Sequence, residues 1–69
     1  MSAAKKIDAY VDAVKELRAL HLAIKLEGVT DERARLVKLA GVRVTERMRV
    51  LTGGQIGHAR RILAQEVTP

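Results

Sequence analysis

Residues 39–54 read LAGVRVTERMRVLTGG, and the path of the chain through Gly41 in that stretch decides the fold. If a helix that begins near Thr30 continues to Leu51, the chain is a hairpin of two long helices followed by a shorter one. If it breaks at Gly41, a new helix begins near Arg43 to Thr45 at a different angle, with Thr45 as its cap. Glycine tolerates the positive φ that a turn between helices needs, and the apolar Val42 after it can plug the angle between them.

Spacing supports both paths. Ala34, Val37, Gly41, Val44, Met48 and Leu51 recur at three- and four-residue intervals, as one long amphipathic helix requires. Leu36, Leu39, Val42 and Val50 then fall on roughly the opposite side, and a helix apolar nearly all round does not suit the surface of a monomer. A break at Gly41 lets both sets face one core. On that ground a helix-turn-helix over residues 32–52 is expected.

Working outward, residues 4–27 read as one long helix. Ile7, Tyr10, Val14, Leu17, His21 and Ile24 form a heptad-like seam expected to serve as a dimer or partner interface. Six alanines between Ala3 and Ala23 add helix propensity, and Gly28 is a natural stop. Thr30 or Asp31 can cap the second helix, with Asp31 and Glu32 near the positive end of its dipole. Gly53 and Gly54 end the helix before the last one, which runs from about Gln55 to Glu66 with Ile56, Ala59, Ile62 and Leu63 inward. Residues 1–3 and 67–69 are expected to fray.

The whole is a single all-α domain of 69 residues, a small bundle of three or four helices with a long N-terminal helix. A domain this small buries little surface alone, so a homodimer is expected. The sole aromatic is Tyr10, and a core of Leu, Val, Ile, Ala and Met suits packed helices. No apolar run is long enough to cross a bilayer and no signal-peptide core opens the chain, so a cytoplasmic, soluble protein is the default.

The sequence holds no cysteine, and His21 and His58 are far apart with no acidic cluster beside them, so neither a metal nor another cofactor is expected. Gly53, Gly54 and Gly57 lack the preceding strand and the lysine of a phosphate loop, and the only serine is Ser2. An enzyme is not expected.

Charge points elsewhere. Between Arg33 and Arg61 eight basic residues face one acid, Glu46, a balance of +7. Arginines that neutralise phosphates release counterions and give affinity of any sequence preference. Arg43 and Arg47 share a helix face four residues apart, Arg49 sits nearby, and Arg60 and Arg61 extend the patch.

LAGV followed by RVLTG resembles the helix-turn-helix of the LacI-type repressors over about fifteen residues. The resemblance implies that Arg43, Val44 and Thr45 approach base edges and that Arg49 meets a phosphate. Arg47, however, occupies a position at which that family buries a small apolar residue. Gly57-His58-Ala59-Arg60, continuing as Arg61-Ile62-Leu63, is similar to a segment that follows the helix-turn-helix in ParB-type partition proteins.

Two functions follow as expectations. One is a small DNA-binding regulator that meets duplex DNA through Arg43, Val44, Thr45, Arg47, Arg49, Arg60 and Arg61. The other is a protein-interaction module, an adaptor or an antagonist of a larger regulator, which binds a helical or acidic partner. That module would use the first-helix seam or the second apolar face at Leu36, Leu39, Val42 and Val50.

Overall fold

The computed structural model describes residues 2–66 and is all-helical over them. Three helices follow one another: α1 (Ala3–Glu27), α2 (Asp31–Arg49) and α3 (Gly53–Glu66). The expected fraying at residue 1 and at residues 67–69 lies outside the described residues. At the start of α1 the Ser2 hydroxyl accepts the Lys5 N–H at 3.3 Å as the N-cap, and Ala3 is the first helical residue.

Local chemistry accounts for each boundary. Gly28 closes α1 with φ 94° and ψ 172°, a conformation that a side chain would strain, while its N–H still donates to the Ile24 carbonyl. Thr30 caps α2 by accepting the Arg33 N–H at 3.1 Å, and Asp31 and Glu32 occupy the first turn. At the last boundary Thr52 and Gln55 form a reciprocal capping box. The Thr52 hydroxyl accepts the Gln55 N–H at 3.2 Å, and the Gln55 side-chain Oε1 accepts the Thr52 N–H at 2.9 Å. That box pulls Gly53 and Gly54 into α3, so they open the last helix instead of ending the previous one.

The turn expected at Gly41 is absent. α2 runs unbroken through it for 19 residues, and Gly28 is the only glycine with positive φ among the described residues. Thr45, expected to cap a new helix, sits mid-helix with its hydroxyl donating to the Gly41 carbonyl one turn back, at 3.1 Å. A glycine inside a helix costs about 1 kcal/mol relative to alanine, less than breaking the helix's hydrogen-bond ladder would. Contacts beyond Gly41, from Arg43 and Arg47 to α1, hold the second half of α2 in line with the first. The break expected at Gly41 is therefore corrected to one continuous helix with a short connection to α3, and a helix-turn-helix over residues 32–52 is not confirmed.

α1 and α2 form an antiparallel hairpin, as three cross-contacts show: Arg33 to Glu27, Arg43 to Glu16, and Arg47 to the Ala9 carbonyl. α3 packs back against α1, where Lys15 and Glu66 pair at 2.5 Å. The core lies between them, built from Tyr10, Val11, Leu51, Ala59 and Leu63, with Ile7, Val14, Val44, Ile56 and Ile62 packed against it. It is a shallow core. Among the described residues no large side chain is completely withdrawn from solvent, and the molecule is only 16 Å thick in its shortest dimension.

Candidate interaction surface

The residues expected to meet DNA do not converge. Val44 is half-buried and packs on the core, so it presents no side chain to a groove. Arg43 is committed to Glu16 across the hairpin at 2.6 Å, and Thr45 to the Gly41 carbonyl. Arg47 is half-buried, its guanidinium donating to the Ala9 carbonyl at 2.8 Å. That contact explains how a charged residue fits where the resemblance implies a small apolar one: the residue is half-buried and its head finds a backbone acceptor. Arg49, Arg60 and Arg61 are exposed and belong to no ion pair among the described residues. Arg60 and Arg61 stand on α3, beside the buried Ala59 and the half-buried Ile62.

The seam of α1 is used inside the chain. Tyr10 is buried, Ile7 and Val14 pack on the core, and Leu17 and Ile24 are half-covered within the hairpin. His21 alone of that seam is exposed. Ile7, Tyr10 and Val14 of the expected α1 interface are therefore covered within the chain, which the heptad spacing could not distinguish from cover by a second chain.

What the fold leaves uncovered is the outer side of α2. Leu36 is 41% exposed, Leu39 50%, Val42 53% and Val50 58%. The side of the helix that carries Val37, Ala40 and Val44 faces the interior, with Leu36 near its edge. With Gly41 helical, no second core forms to take the outer residues in. A shallow trough follows this side of α2, lined by Lys38, Gly41, Val42, Thr45, Glu46 and Arg49. A second uncovered set, Leu22, Leu26 and Val29, lies at the closed end of the hairpin.

No group of three or more His, Asp or Glu that could hold a metal is found among the described residues, and no helix there is long and apolar enough to cross a membrane. The chain matches no protein-family model, no curated protein and no solved structure. Its surface is therefore the ground for a functional reading.

Proposed function

We propose that this chain is a small helical protein-interaction module, an adaptor or an antagonist of a larger regulator, which docks a helical partner on the outer face of α2. One observation carries the reading: Leu36, Leu39 and Val42 stand in solvent along an unbroken helix whose inner side is already packed, and Val50, the residue that caps its C-terminus, is exposed as well. Exposing four aliphatic side chains together forgoes burial worth roughly 25 cal/mol for each Å² of apolar surface, and a partner helix recovers it.

A second reading has an observation of its own. Arg35, Lys38, Arg49, Arg60 and Arg61 are exposed and unpaired among the described residues, and the chain carries a net charge of +5. Such residues favour phosphate contacts without base readout, which makes weak, salt-sensitive nucleic-acid binding the competing function.

Photo-crosslinking separates the two. A photoreactive residue at Val42 is expected to yield protein adducts in cells, and one at the exposed Asp12 on α1 is expected to yield none. Equal adducts from both positions, or adducts with nucleic acid from positions 60 and 61 alone, would overturn the interaction reading.

A further inference from the structure

The outer face of α2 carries more than exposed aliphatics. Glu32, Arg35, Leu39, Val42, Glu46 and Arg49 follow one another at intervals of three, four, three, four and three residues, and all six are exposed. At 100° per residue they occupy a stripe about 100° wide and about 26 Å long. None of the four charged members belongs to an ion pair among the described residues, although Arg33, Arg43 and Lys15 all find carboxylates.

The order of the stripe is acid, base, leucine, valine, acid, base, and it is complementary to its own reversal. Two copies laid antiparallel about a two-fold axis between Ala40 and Gly41 set Glu32 opposite Arg49, Arg35 opposite Glu46, and Leu39 opposite Val42. Each of these pairings occurs twice by symmetry. On the flanks, Leu36 falls beside Arg43 of the second copy and Lys38 beside Thr45, so no like charges meet. A parallel arrangement would stack Glu32 on Glu32 and Arg35 on Arg35. The charges therefore select both orientation and register.

We infer that the occupant of the α2 face is a second copy of this chain, docked antiparallel through Glu32, Arg35, Leu39, Val42, Glu46 and Arg49. This rests on the reading of that face as a docking surface. With only Leu39 and Val42 of each copy supplying apolar layers, the interface is a small one, and the dimer forms and dissociates with concentration. It also supplements a monomer whose own core is shallow.

The test is sedimentation of the full chain over roughly 10 µM to 1 mM. Arg35→Glu and Glu46→Arg are run separately, mixed in equal amounts, and combined in one chain. Either change alone sets like charges against each other at both copies of the 35–46 contact and is expected to weaken self-association roughly tenfold or more. The equimolar mixture and the combined variant are expected to restore it, because every 35–46 contact is then again acid to base. Circular dichroism of each variant separates lost association from lost helix.

A wild type that stays monomeric at 1 mM overturns the second copy as occupant, whereas the docking reading falls separately, when adducts from position 42 equal those from position 12. Self-association abolished by Leu39→Asp but indifferent to both charge reversals keeps the face and overturns the register. Self-association indifferent to Leu39→Asp overturns both.

Discussion

The guanidinium of Arg47 donates to the backbone carbonyl of Ala9 across 2.8 Å, tying the C-terminal part of α2 to the N-terminal part of α1. The contact is half-buried, and the carbonyl it meets already belongs to the α1 hydrogen-bond ladder, so Arg47 uses the second lone pair of that oxygen. A charged donor in such a place stabilises the hairpin by more than a surface ion pair does.

Replacing Arg47 with Ala is therefore expected to destabilise the fold by about 1.5–3 kcal/mol, and Arg47→Met by less, since it keeps the apolar stem. Arg43→Ala removes the pair with Glu16, whose two side chains are 47% and 46% exposed, and should cost under about 0.5 kcal/mol after solvent screening. Urea denaturation of the three variants checks the order. An Arg43 effect as large as the Arg47 effect would contradict it.

Gly41 and Gly28 should respond in opposite directions to alanine. Gly41 is helical and a Cβ there would meet nothing within 4 Å, so Gly41→Ala is expected to stabilise by about 0.5–1 kcal/mol. Gly28 has φ +94°, and Gly28→Ala should destabilise by about 1 kcal/mol or more despite equally open space. Thermal melts followed by circular dichroism decide this. A loss of stability in Gly41→Ala would mean that the chain bends there after all.

Core and outer-face leucines should separate stability from association. Leu63 is 4% exposed in a core with few members, and Leu63→Ala is expected to cost about 2–4 kcal/mol and to leave a partly unfolded protein at 25 °C. Leu39→Asp, at a half-exposed site, should change the monomer's unfolding midpoint little in dilute solution, where association does not contribute. Dilute-solution denaturation read beside concentrated-solution sedimentation distinguishes the two residues.

Titration of duplex DNA at several salt concentrations is expected to give only weak binding, with dissociation constants on the order of 10 µM or above, indifferent to sequence. Arg60→Ala combined with Arg61→Ala should reduce the salt dependence, whereas Arg43→Ala should not, because that guanidinium is held by Glu16. Tight, sequence-selective binding would favour the nucleic-acid reading over the docking reading.

Much of the architecture is legible in the sequence. The helical class, the length of α1, the stop at Gly28, a cap at Thr30 or Asp31 and the inward set of α3 all follow from periodicity and from chemistry acting within a few residues. The box at Thr52 and Gln55 was legible too, as a threonine followed three residues later by a glutamine. The pull of two successive glycines toward a helix end hid it.

The sequence by itself determined where helices can start and stop and which faces are apolar, because capping and propensity are local. Only the tertiary structure decided that Gly41 stays helical and that Ile7, Tyr10 and Val14 of the α1 seam are covered from within. It also left Leu36, Leu39, Val42 and Val50 facing outward. A glycine's cost of about 1 kcal/mol is small enough for distant contacts to outweigh, and those that do, from Arg43 to Glu16 and from Arg47 to Ala9, join residues 27 and 38 positions apart. Spacing along one helix records that a face is apolar; which neighbour covers it is settled only when the chain has folded back on itself.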